Sequence, residues 1–239
     1  AASFAGIESS NLIINDVSAF IDGGTVRSAL GIAVGADDEA SLSAVNVAVA
    51  LSGGVAALAF GLSFADNQID DHVAASIAGA SVTADNGDID VSAQSQPTVD
   101  TVGVVAAVAA GLGFSSAGAR SNVEVDGITE AYLDGVTLTA LGDTVNVHAA
   151  STSSISPTTV VVSGGAVAVA AMNSNAVIDG TTRAYASGAS IISAAGLDLF
   201  AFADNDATPT TNVVAVGLAS GAGVGATSRI GRDTSAYIG

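Results

Sequence analysis

The side chains able to move protons or hold metal ions in this sequence are two histidines, His72 and His148, and 23 aspartates and glutamates. Serine and aspartate are common enough to complete a Ser/His/Asp arrangement. Such a triad is defined by geometry, however, and abundance does not supply it. The acidic residues cluster at Asp37-Asp38-Glu39, at Asp66 with Asp70 and Asp71, at Asp85 with Asp88 and Asp90, and at Asp204 with Asp206. Calcium takes several oxygen ligands, which makes Asp66, Asp70, Asp85, Asp88, Asp204 and Asp206 calcium candidates. None of these segments matches an EF-hand loop or the glycine-rich nonapeptide. Asp and Asn also serve turns by capping their own backbone, and that is the favoured reading. The chain has no cysteine, hence no thiol nucleophile and no disulfide. It has no lysine either, so the glycine-rich run 217–225 cannot be a phosphate loop. A lyase or hydrolase on a β-helix would show paired carboxylates, or Arg beside Asp on one strand face. No recurrent cluster of that kind is present. The expectation is a protein that is not an enzyme and has no cofactor beyond calcium.

The charge balance narrows the partners. Five arginines (Arg27, Arg120, Arg183, Arg229 and Arg232) stand against the acidic residues, for a net charge of −18. Nucleic acid and anionic lipid both require a basic surface. The apolar run Leu42–Phe64 is long enough to raise a membrane helix. Asn46 and Gly53-Gly54 interrupt it, and its alternation suits strands, so no membrane insertion is expected. The opening residues AASFAGIESS lack a basic segment and a continuous apolar core, so no signal peptide is expected there.

Positioning is governed by a repeat. The stretch Ala131–Ala149 alternates apolar and polar residues, breaks at Gly135 and at Leu141-Gly142-Asp143, and alternates again. Period-2 alternation between turn residues predicts β-strands. Equivalents of Ala131 are Ala19, Ala75, Ala184 and Ala236, at successive spacings of 56, 56, 53 and 52 residues. His148 stands one before the closing alanine of its motif, where other copies carry Ser92 and Phe200, so a solvent-facing strand position is expected for it. Each motif reads as strand, glycine-containing turn, strand. The three prolines, Pro97, Pro157 and Pro209, follow it in polar stretches and are expected at strand starts or corners.

The apolar segment of each repeat has its own alternation. Leu58, Phe60, Leu62 and Phe64 alternate with Ala57, Ala59, Gly61 and Ser63, and Val45, Val47, Val49 and Leu51 alternate with Ala44, Asn46, Ala48 and Ala50. A strand sends alternate residues to opposite faces, so one face is bulky and the other small. The bulky face can fill a core, and the small face allows close approach of another layer. Both faces are therefore expected to be covered, by the same chain or by a neighbouring molecule. The assembly interface is expected at Val47, Val49, Leu58, Phe60, Leu62, Val104, Leu112, Phe114, Val162, Val167, Val169, Val214 and Val216.

The fold class expected is all-β: a repetitive β-solenoid with large flattened coils, in a single continuous array of about four to five repeats over residues 1–239. The alternative is a string of tandem antiparallel β-sandwich modules turned at Gly53-Gly54 and Gly164-Gly165. The motif Ala131-Tyr132-Leu133-Asp134-Gly135 with 140–149, and its looser copies at 19–23, 75–93 and 184–201, resembles the repeats of very large bacterial exoproteins. These are filamentous haemagglutinin-like adhesins and autotransporter-type passengers. The resemblance implies a β-solenoid at the cell surface or outside the cell, used for adhesion or for building fibres, with no active site. The function expected is an extracellular structural protein whose partner is itself, forming a fibre, sheath or surface layer. The alternative is an adhesin shaft whose partner is a cell-surface glycan or another surface protein.

Overall fold

A computed structural model describes residues 1–141, 143–188 and 191–239. The first repeat forms β1 (Ala2–Asp22), β2 (Thr25–Ser28), β3 (Ile32–Asp38) and β4 (Ser41–Gly53). The second forms β5 (Leu58–Ala78), β6 (Ser81–Ala84), β7 (Ile89–Ser95) and β8 (Thr98–Ala110). The third forms β9 (Phe114–Asp134), β10 (Thr137–Ala140) and β11 (Thr144–Gly164), the last doing the work of two strands. The fourth forms β12 (Val167–Ser187), β13 (Ile191–Ser193), β14 (Gly196–Ala207) and β15 (Thr210–Val216), and β16 (Ala219–Ile238) follows. The fold is all-β, with no helix among the described residues.

Strands pair with their counterparts one repeat away, always in parallel among the described ladders. The first sheet runs β1-β5-β9-β12-β16, the second is the short β13-β10-β6-β2, and the third carries β3, β4, β7, β8, β11, β14 and β15. The anchor alanines stand in register: Ala19 beside Ala75, Ala75 beside Ala131, Ala131 beside Ala184, and Ala184 beside Ala236. The alternative of antiparallel sandwich modules is corrected here: such modules need hairpin ladders, and the described ladders are parallel. Within Ala131–Ala149, β10 and β11 lie in different sheets and pair with neighbouring repeats. Gly142 of its turn lies outside the described residues.

The interior changes character along the strands. Where all three sheets meet, it is filled by Val73, Ile77, Val82, Ile89, Val91, Leu133, Leu138, Val145 and Val147. At the opposite end only the first and third sheets remain, joined by tight turns such as 54–57 between β4 and β5. There the core is Ala48, Ala50, Ala57, Ala59, Ala107, Ala109, Ala117 and Ala170, with Val105 and Val161. Two sheets converging on a short turn leave less than the ~10 Å of ordinary sheet packing. A Cβ at Gly61 would sit 2.7 Å from Val105 Cγ1 and 3.7 Å from the Ala107 Cβ on the facing sheet. The Ser115 and Ser163 hydroxyls also meet across this interior at 2.8 Å.

That narrowness reverses one sequence expectation. The bulky residues of the apolar segments do not fill the core; the small ones do, and Val, Leu and Phe point outward. Pro97 and Pro209 fall between strands as expected, whereas Pro157 lies inside β11, facing Thr101 in the ladder.

Candidate assembly surface

Residues 40–65, 101–119, 144–178 and 207–228 contain no Asp, Glu, Lys or Arg. The parts of these segments next to the turns form the arms of the narrow end, so that end carries almost no charge and the acidic residues concentrate on the wider part. On the third sheet, Val45, Val47, Val49 and Leu51 of β4 stand beside Val102, Val104, Ala106 and Val108 of β8. Thr158, Val160, Val162 and Gly164 of β11 continue the rows, and Thr210, Asn212, Val214 and Val216 of β15 end them. On the first sheet, Leu58, Phe60, Leu62 and Phe64 lie between β1 and β9. Phe4 stacks on Phe60 at 5.1 Å, and Phe114 packs tilted against Phe60 at 5.7 Å. At the turns, Val55, Leu112 and Leu218 are 84%, 74% and 92% exposed.

The thirteen residues expected at the interface therefore all lie on the outer surface of this end. Val47, Val49, Leu58, Leu62, Leu112, Val167, Val169, Val214 and Val216 are exposed, and Phe60, Val104, Phe114 and Val162 are half-buried by their neighbours. Val45, Leu51, Val55 and Leu218, within the segments 45–64 and 213–224 that the sequence marks for the interface, complete the belt around the tip.

The first-sheet face is uneven. Large side chains on β5 are followed in the same rows by Ser116 and Gly118 of β9, Ala171 of β12, and Gly221 and Gly223 of β16. The outcome is a ridge beside a hollow of ≈ 350 Å³ that Leu62, Phe64, Gly118, Arg120, Met172 and Gly223 help to line.

The calcium candidates have other employment. Asp85 accepts from Arg27 Nε and Nη2 at 2.9–3.2 Å. Asp88 Oδ1 accepts from the Thr144 backbone N–H and hydroxyl, both at 2.8 Å, which holds its carboxyl below the usual range. Asp143 Oδ2 accepts from the Gly87 N–H at 2.7 Å. Asp88 and Asp143 thus cap the backbone of the adjacent repeat, not their own as the sequence reading had it, and Asp85 pairs with an arginine side chain. Asp66, Asp70, Asp204 and Asp206 sit on outward strand positions. Among the described residues no group of three or more His, Asp or Glu is disposed to hold a metal. Removing the Asp88 carboxyl (Asp88→Ala) is expected to speed amide hydrogen exchange at Thr144 while leaving Val147 in the ladder protected. Unchanged exchange at Thr144 would show that the cap is dispensable.

Both histidines face outward: His72 Nδ1 lies 3.4 Å from Asp16 Oδ1, and the His148 ring rests edge-on against Phe200 at 5.9 Å. One titratable group inside is unusual. Asp71 is buried, and burial, with Asp38 and Asp70 nearby, pushes its carboxyl up to about 6 against help from the Ser95 hydroxyl and Arg232. Arg232 enters this interior from β16, donating to the Asp179 carbonyl and the Thr182 hydroxyl. Burial lowers its pKa, and Asp126, Asp71 and Asp179 oppose that. Its path exists because Gly180 and Gly127 occupy the same inward column, in register between Arg232 and Asp71. A Cβ at Gly127 would stand 3.4 Å from Arg232 Nη2. A Cβ at Gly180, where φ is +118°, would collide with the Gly127 carbonyl oxygen.

In comparisons with known proteins the chain matched no family model, no curated protein and no solved structure.

Proposed function

We propose that this chain is a β-solenoid of flattened coils, one per repeat, that serves as a non-enzymatic structural protein and joins further copies of itself through its apolar belt into a fibre, sheath or surface layer. The observation that carries this reading is the charge-free end with Val, Leu and Phe outward on both faces and at the tip, repeated through successive ladders. A monomer rarely leaves so large an apolar area in water, and a polar-rimmed patch of this kind is characteristic of an interaction site. The parallel ladders at 56, 56, 53 and 52 residue offsets support the coil. The resemblance of the repeats to bacterial exoproteins supports a setting at the cell surface or beyond it.

A second copy suits the belt better than an acidic or basic partner. With a net charge of −18, two copies meet with least repulsion where neither carries charge. The ridge and hollow on the first sheet also complement each other. A two-fold axis parallel to the strands, between β5 and β9, sets Phe60 over Ser116 and Leu62 over Gly118, large over small. Such a contact is isologous and buries the same patch on both copies.

Sedimentation of the full chain tests this reading. Oligomers are expected at roughly micromolar concentration, growing with salt, because screening weakens acidic repulsion while apolar burial persists. The triple change Val47→Ser, Val49→Ser, Leu62→Ser is expected to give a monomer with an unchanged Tm. A wild-type chain that stays monomeric at all salt concentrations would sink the proposal.

A further inference from the structure

The outward positions that follow the anchor alanines form one column: Phe20, Ser76, Tyr132, Tyr185 and Tyr237. The three tyrosines stack at 5.0 and 5.3 Å with nearly parallel rings. Burial and the Glu130 carboxylate push the Tyr185 hydroxyl up to about 12. Ser76, 7% exposed beneath its neighbours, is the missing rung of this column. Strands ~4.8 Å apart put the Phe20 and Tyr132 positions two steps, or about 9.6 Å, from each other. Above Ser76 lies a cavity of ≈ 440 Å³, with Phe20 and Tyr132 on its walls and Ala74, Ser76 and Ala78 beneath. Asp16, Asp22 and His72 also line it. Its volume falls in the range of small-molecule sites. Phe20 is 66% exposed, an aromatic surface the fold leaves uncovered.

We infer that this slot binds a neutral hexopyranose ring of a glycan, held between Phe20 and Tyr132. Two aromatic side chains separated by one vacant rung take a single ring with two apolar faces. Ionised carboxylates only accept hydrogen bonds, so Asp16 and Asp22 call for donors around that ring's edge. A pyranose has both: C–H groups on its faces and hydroxyls around its rim. A phenyl side chain presents C–H edges and leaves the carboxylates unmatched, and a phenol brings one donor where a pyranose brings several. Nucleotides and acidic sugars bring negative charge to a chain of net charge −18. The slot lies on the acidic side of the molecule, away from the apolar belt, and its occupancy does not depend on assembly.

The test is titration of the full chain with neutral tetrasaccharides of gluco, manno and galacto configuration. Binding is followed by saturation-transfer NMR and by tyrosine fluorescence, which no tryptophan obscures. At least one sugar is expected to bind with a Kd on the order of 1 mM. Ser76→Phe, which supplies the missing rung, is expected to weaken binding at least about tenfold, and Phe20→Ala to a similar degree. Asp22→Asn is expected to weaken it by a smaller factor. Should Ser76→Phe fail to fold, Phe20→Ala at its exposed position carries the test. The inference is overturned by no binding at roughly 10 mM sugar, by binding that survives both ring substitutions, or by tighter binding of N-acetyltyrosinamide or argininamide, which would make the slot a protein-docking site.

Discussion

Leucine in place of Ala107 is expected to cost about 3 kcal/mol of stability or to prevent folding, although both residues are apolar. Ala107 is fully buried at the narrow end, facing Gly61 on the other sheet. A Cβ at Gly61 would already touch the Ala107 Cβ at 3.7 Å and press on Val105 at 2.7 Å. Three more carbons have no space unless the two sheets separate, and separation would break the contacts of Ala50, Ala57, Ala59 and Ala109 with their opposite numbers. The control runs the other way. Val49→Ala removes a larger side chain, but Val49 is half in water, so the change is expected to stay within about 0.5 kcal/mol. Denaturant melts of both variants decide the matter. If Ala107→Leu were tolerated and Val49→Ala were destabilising, the two faces would have been assigned the wrong way round.

Asp71→Asn is expected to stabilise the protein at neutral pH by up to about 3 kcal/mol, and hardly at all at pH 4. The sign follows from linkage. The carboxyl titrates at about 6 when folded, raised from an ordinary 3.8, so the folded state holds its proton more tightly. Below 3.8 both states are protonated and the favourable contribution of the neutral group is complete. As pH rises through 6 that contribution is lost, and above about 7 the native state carries a buried anion. Asn keeps the shape and a polar atom for Ser95 while removing the charge that Asp38 and Asp70 oppose. Arg232 retains Asp126 and Asp179 as counter-charges. Other carboxylates titrate in the same range, so the informative quantity is the difference between variant and wild type at pH 4 and pH 7.5. A difference independent of pH would mean that Asp71 acts through packing alone.

Much of the fold could be read from the spacing of the anchor alanines. Ala19, Ala75, Ala131, Ala184 and Ala236 are ladder neighbours because a repeat that returns to the same sheet must return in register. The inward set Val136, Leu138, Ala140, Val145, Val147 and Ala149 was legible for the same reason, since there the large apolar residues do point inward. Alternation failed for Val45–Leu51 and Leu58–Phe64. It separates two faces but cannot say which is inside. That depends on the distance to a facing sheet formed by residues tens of positions away. The clue was the matching small sets on either side of one turn, Ala48 and Ala50 against Ala57 and Ala59, which fit together only if the turn folds them onto each other. Asp88 was placed correctly in a turn, but its partner Thr144 lies one whole repeat further on, beyond the reach of local turn rules. The aromatic slot had been visible in the residue after each anchor, Phe, Ser, Tyr, Tyr and Tyr, once the copies were aligned by column.

Arg232 makes the order of the copies matter. Its side chain needs glycine at the same inward column one repeat and two repeats before it, and Gly180 and Gly127 meet that need in order, with Asp71 next in the series. Duplicating or excising one repeat would shift this series by a step and set the guanidinium against the wrong neighbour. A chain that looks able to grow or shrink by copying a module therefore carries, in one threaded side chain, a ruler that fixes which copy stands where.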